Sequence, residues 1–126
     1  IAALAALAIG ALITNVALKN IIARIRPYEV VEGLKLLIEP QSDFSFPSGH
    51  TCASIGAALA MYPFLERKWG IPLVILAVLI SLSRLYVGVH YPTDVLGGAV
   101  VGAFAAWGAV RVVKHGLVRK AKKAEK

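Results

Sequence analysis

Four long apolar stretches, separated by shorter polar ones, run along this chain: Ile1–Leu18, roughly His50–Leu65, Ile71–Tyr86 and Asp94–Val113. Each is near the ~20 residues that a helix needs to cross a bilayer, the second and third slightly short. Backbone polar groups find no water inside lipid, so stretches of this kind are expected as α-helices despite their β-branched residues. The pattern therefore predicts an all-α transmembrane bundle with four spans. Arg26-Pro27 is expected to end the first helix, because proline disfavours helix at the residue before it. Tyr28–Ile38, apolar at Val30, Val31, Leu34, Leu37 and Ile38, reads as a short amphipathic helix at the interface. Glu39–Phe46 reads as loop, Glu66–Gly70 as a tight turn and Val87–Thr93 as a short loop.

Composition strengthens the membrane reading. Hydrophobic residues make up 58% of the 126 and mean hydropathy is +0.71, against about 45–50% apolar residues in soluble domains. The length suits a single domain over residues 1–126. One cysteine, Cys52, excludes an intrachain disulfide and reads as a small core residue. The chain starts at Ile1 without Met or a basic flank, so Ile1–Leu18 is read as a span rather than a secretory leader, with sequence upstream expected to be missing.

The net charge of +7 is uneven. Lys114, Arg119, Lys120, Lys122, Lys123 and Lys126 crowd residues 114–126, a basic juxtamembrane tail rather than the basic face of a nucleic-acid-binding fold. Alternating spans place Lys19, Arg24, Arg26, Lys35 and Arg84 on one side, and Arg67, Lys68, Arg111 and the tail on the other. Positive residues favour the cytoplasm, so the tail is expected inside and the first side extracytoplasmic. Gly98-x3-Gly102 reads as a helix-packing motif.

The polar residues on that outer side are the chemical signal. Lys19, Arg26, Ser48, Gly49, His50, Ser83, Arg84, His90 and Asp94 converge there in three blocks. Lys19 and Arg26 stand seven apart, nearly two helical turns, so both are expected to point one way and to suit an anion with several oxygens. Arg24 does not share that direction and is expected to face solvent or headgroups. Pro47-Ser48-Gly49-His50 opens the second span, where free N–H groups and the positive end of the helix dipole favour an oxyanion, with Ser48 capping or donating. His90 and Asp94 are i,i+4, so the carboxylate can accept from His90 Nδ1–H and leave Nε2 as a nucleophile. Each block has a plainer reading: a snorkelling pair, a turn before a helix, an N-cap. All three would have to hold at once on one face, where ionisable groups are costly. His50, His90 and Asp94 could make a three-ligand metal site, but Lys19, Arg26 and Arg84 would repel a cation. No metal and no cofactor is expected.

Lys19-x6-Arg26-Pro27, Pro47-Ser48-Gly49-His50 and Ser83-Arg84-x5-His90-x3-Asp94 resemble the three-part signature of the type 2 phosphatidic acid phosphatase (PAP2) superfamily, with no signature position departing from it. The resemblance implies the last four helices of a six-span fold, two N-terminal helices being absent. It implies a lipid phosphatase in which His90 forms a phosphohistidine, Asp94 orients it and His50 is the general acid, then base. Lys19, Arg26, Ser48, Gly49 and Arg84 would bind the phosphoryl oxygens. The expected partners are membrane lipids and a lipid phosphate or pyrophosphate, of the undecaprenyl pyrophosphate, phosphatidic acid or phosphatidylglycerol phosphate type, and no nucleic acid. A non-catalytic anion-binding membrane protein and a vanadate haloperoxidase-like enzyme are the alternatives. The lipid tail and the oligomeric state are not encoded in these motifs.

Overall fold

A computed structural model describes residues 1–124. The chain is all-α among these residues: α1 (Ala2–Ala11), a π-helical segment (Leu12–Leu18), α2 (Lys19–Ile22), α3 (Pro27–Val30), α4 (Gly49–Met61), a 3₁₀ turn (Tyr62–Phe64), α5 (Arg67–Tyr86) and α6 (Pro92–Ala124). Helix α4 is central, packing against α1, α5 and α6, while α1 also lies along α6.

The packing is made of small residues. Ala2, Ala6, Ala60, Ala106 and Ala109 form the buried cluster, whereas Leu4, Val16, Ile75, Leu79, Phe104 and Trp107 lie on the outside. Small side chains let helix backbones approach closely, and in lipid the large apolar side chains have no reason to turn inward. The protein is an integral membrane protein, with three helical stretches long and apolar enough to cross a bilayer: Ala2–Val30, Arg67–Tyr86 and Pro92–Arg119.

The second expected span does not reach that length. Helix α4 has 13 residues, about 20 Å at the helical rise of ~1.5 Å per residue, because Pro63 tightens the chain into the 3₁₀ turn. The expected interfacial helix is also cut short. α3 stops at Val30, Val31 is extended, and Gly33 takes φ +78°, a conformation that favours glycine. Val30, Val31 and Leu37 stay exposed, and Leu34, also exposed, reaches only as far as the turn at Gly88, so no buried face sustains a longer helix.

The first helix ends four residues before Arg26. Ala23 caps α2 in the left-handed region, turning the chain back so that Arg26 lies outside the helix in extended backbone. The Glu66–Gly70 turn is tighter than expected, since α5 starts at Arg67. Helix α6 starts at Pro92 and runs on through the basic tail to Ala124; Lys126 lies outside the described residues.

Candidate active site

The π-helical segment places the first cation. Its wide turn lets the Lys19 N–H reach back five residues to the Thr14 carbonyl, and both side chains are buried on the same side. Such segments within helices recur at functional sites. Asn15, Lys19, Arg26, Gly49, His50, Arg84 and His90 share one cavity of about 420 Å³ with Asp43. The three sequence blocks are thus brought to one end of the bundle, although Lys19 and Arg26 do not meet by sharing a helical face. They meet because the loop between α3 and α4 folds over both.

That loop supplies a residue the sequence reading left unassigned. The Asp43 carboxylate bridges the two cations: Oδ2 accepts a hydrogen bond from Lys19 Nζ, and Oδ1 accepts from Arg26 NH2 at 2.5 Å. Burial raises the Asp43 carboxyl pKa, but the hydrogen bonds and charges of Lys19 and Arg26 outweigh it and hold the group below its ordinary value. Arg26 is fixed further by donating from Nε to the Asp43 carbonyl and from NH1 to the Val89 carbonyl, both at 2.9 Å. Arg84 makes no ion pair among the described residues, and its Nε and NH2 donate to its neighbour Ser83 Oγ, each at 3.3 Å.

At the start of α4, Ser48 is fully buried and its Oγ accepts from the Thr51 N–H at 3.4 Å and the Thr51 hydroxyl at 3.1 Å. It caps the helix and is absent from the cavity lining, which Gly49 and His50 join instead. The Ser48 N–H donates to the Asp94 carbonyl at 2.9 Å, tying the start of α4 to the start of α6.

His90 is buried in the turn between α5 and α6, with Nδ1 3.5 Å from Asp94 Oδ2. That is longer than an N–H···O hydrogen bond, and Nδ1 has no other partner. The reason lies in the carboxylate. Asp94 Oδ2 already accepts from Ser45 Oγ and from the Tyr91 N–H at 2.8 Å, and Oδ1 accepts from Arg24 NH1 at 2.9 Å. Arg24, expected to face solvent or headgroups, instead pairs with Asp94, donates to Thr93 Oγ1 at 2.6 Å and lies 4.1 Å over the Tyr91 ring. Burial, and then the nearby Arg26 charge, push the His90 pKa down to about 4 against the opposing pull of Asp94. At neutral pH His90 is therefore an uncharged imidazole. Nδ1 is turned to a carboxylate, and the ring joins the cavity lining.

This arrangement can receive a tetrahedral anion. It offers cations, a helix N-terminus, a neutral imidazole able to attack and a second imidazole, His50, able to move a proton. Among the described residues, no three His, Cys, Asp or Glu side chains are gathered so as to hold a metal ion.

A family model described as the PAP2 superfamily matches residues 1–116. The chain is 36% identical over 103 residues to an undecaprenyl-diphosphatase of Sulfolobus acidocaldarius, covering 81% of this chain and 50% of that one. It is 44% identical over 93 residues to undecaprenyl-diphosphatase BcrC of Bacillus subtilis, covering 74% and 47%. The chain thus spans about half the length of these curated relatives. Its fold is similar to the crystal structure of a transmembrane PAP2-type phosphatidylglycerolphosphate phosphatase from Bacillus subtilis, with TM-score 0.72 and 31% identity over 90% of this chain and 58% of that one.

Proposed function

The chain belongs to the PAP2 superfamily, and from that premise we propose that it is an integral-membrane phosphatase that releases phosphate from a lipid phosphate or diphosphate through His90. The observation that carries this reading is the shared cavity, in which a neutral His90 backed by Asp94 faces Lys19, Arg26, Arg84, Gly49 and His50.

In the first step His90 Nε2 attacks phosphorus in line with the leaving oxygen. The N–P bond forms as the P–O bond breaks, and His50 gives its proton to the departing oxygen. Attack turns the imidazole into a cation, and the Asp94 carboxylate then gains a full charge to stabilise at a distance already set by its other donors. In the second step water attacks phosphorus, His50 takes the water proton and the N–P bond breaks to release phosphate. Lys19, Arg26, Arg84 and the Gly49 N–H hold the equatorial oxygens, and act most strongly where charge shifts in the transition state. Ser48 contributes by fixing where α4 begins.

The site opens at one end of the bundle, where a headgroup would lie, so the substrate is an amphiphile. A polyprenyl diphosphate such as undecaprenyl diphosphate is the first choice, because two of the relatives carry that activity in their names. Phosphatidic acid and phosphatidylglycerol phosphate follow. The charge asymmetry supports an extracytoplasmic site, with the basic end of α6 in the cytoplasm. Helix α4, with its 3₁₀ turn, completes a fourth crossing inside the shelter of α1, α5 and α6.

The test is phosphate release from undecaprenyl diphosphate and phosphatidic acid in detergent, with excess chelator, followed across pH. Release is expected to survive chelation. The plot of kcat/KM against pH is expected to be bell-shaped, losing activity in acid as His90 gains a proton. Because the His90 pKa is held near 4, that limb should lie well below the ordinary histidine value of ~6.5; the alkaline limb reports His50 losing its proton. Release that collapses in chelator, or a flat profile, would remove the paired-histidine mechanism.

Arg24 is assigned a positioning role. Removing it strips one donor from a fully buried carboxylate, a loss of about 1.5–3 kcal/mol for a charged hydrogen bond. Arg24→Ala is expected to lower kcat about 10- to 100-fold at nearly constant KM, with partial recovery in Arg24→Lys. An equal loss through KM alone would mean that Arg24 contacts the substrate instead.

A further inference from the structure

The two cations best placed for a phosphoryl group are already occupied from within. Asp43 presents one carboxylate oxygen to Lys19 and the other to Arg26, the bidentate geometry with which a phosphate would meet the same pair. The partners differ in how firmly they are held. Arg26 is anchored to the Asp43 and Val89 carbonyls through Nε and NH1, so its guanidinium stays in place when the carboxylate leaves. The Asp43 side chain is half exposed, at 50%, whereas those of Lys19 and Arg26 are at 9% and 3%. Asp43 also stands in the wall between the 420 Å³ cavity and a second one of about 530 Å³ lined by Ser42 and Phe44, which gives a displaced carboxylate room to move.

We propose that Asp43 is an internal carboxylate that competes with the phosphoryl group for Lys19 and Arg26, and returns to them to expel the phosphate product. This rests on the phosphatase reading above. The charge balance gives it a purpose. A displaced Asp43 still stands beside the cavity, so Lys19, Arg26 and Arg84 together with it sum to two positive charges, a match for one dianionic phosphate. Without Asp43 the sum is three, and free phosphate is held too well to leave.

Equilibrium binding tests this without turnover. Inorganic phosphate and orthovanadate are titrated calorimetrically into the full chain in detergent micelles, as wild type, Asp43→Asn and Asp43→Ser, each first shown to be monodisperse. Both variants are expected to bind phosphate about tenfold or more tightly than wild type, the scale of one charged hydrogen-bond pair, and product inhibition should sharpen by the same factor. Unchanged or weaker binding in the two variants overturns the proposal and makes Asp43 a strut that holds the cations. If wild type and variants alike bind neither anion, the phosphoryl site itself is refuted; wild-type binding that the variants leave unaltered refutes only the role of Asp43.

Discussion

His90→Ala is expected to remove turnover by at least ~10⁴-fold while leaving the bundle folded, since removing a nucleophile leaves only binding and electrostatic stabilisation behind. The side chain is buried but makes no hydrogen bond that the fold depends on; its Nδ1 is unpartnered. Its loss therefore costs a cavity rather than a network. Substrate should still bind, because Lys19, Arg26 and Arg84 are untouched, so KM moves little and the effect falls on kcat. Acid-labile, base-stable radiolabel from a labelled substrate should remain on denatured wild type and be absent from the variant. A variant that keeps more than about one per cent of wild-type kcat, on the scale by which nucleophile deletions are read, would show that His90 is not the attacking group.

The second large effect concerns assembly. At Gly102 an added Cβ would stand 2.6 Å from the Cys52 carbonyl oxygen and 3.0 Å from the Gly56 nitrogen; at Gly98 it would stand 2.5 Å from the Ser48 carbonyl oxygen. These are backbone atoms of α4 and of its cap, so nothing can rotate aside, and α4 must move off α6. Overpacking of this kind costs about 1–3 kcal/mol, and more where backbone is struck. Gly98→Ala and Gly102→Ala are each expected to lower thermal stability in detergent, whereas Gly108→Ala, with open space around it, should be neutral. Gly98→Ala should also damage activity beyond its stability loss, because it separates the Ser48–Asp94 backbone link that sets His50 against His90. Equal melting temperatures for the three variants would show that the α4–α6 contact is looser than the Gly98-x3-Gly102 spacing implies.

What could be read in advance divides along a physical line. The short-range constellations were legible because their geometry is local: His90 and Asp94 flank Pro92 at a helix start, and Arg84 sits at a helix end whatever the tertiary fold. The Gly98-x3-Gly102 packing motif was legible for the same reason. Asp43 was not, since a single acid in a loop carries no period, and only the path of residues 39–48 over Lys19 and Arg26 gives it a partner. Arg24 pairs with Asp94 rather than facing outward because the helix ends at Ile22 and Ala23 turns the chain, which a helical period does not foresee. The length of α4 was overestimated because the apolar run continues through Tyr62-Pro63-Phe64 while the helix does not. Apolar content marks what prefers lipid, and at this point Pro63 decides where the helix stops.

The 33 residues of α6 make a rod about 50 Å long at ~1.5 Å per residue, against a hydrocarbon layer of ~30 Å. One end carries Asp94. The other carries Lys114, Arg119, Lys122 and Lys123, which anionic headgroups attract at about 1 kcal/mol each. Because the two ends belong to one stiff element, a pull on the basic end is expected to be felt at the Asp94 end. Lipid charge on one face of the membrane is thereby expected to bear on the vertical alignment between the cavity mouth and the plane in which phosphate headgroups lie on the other.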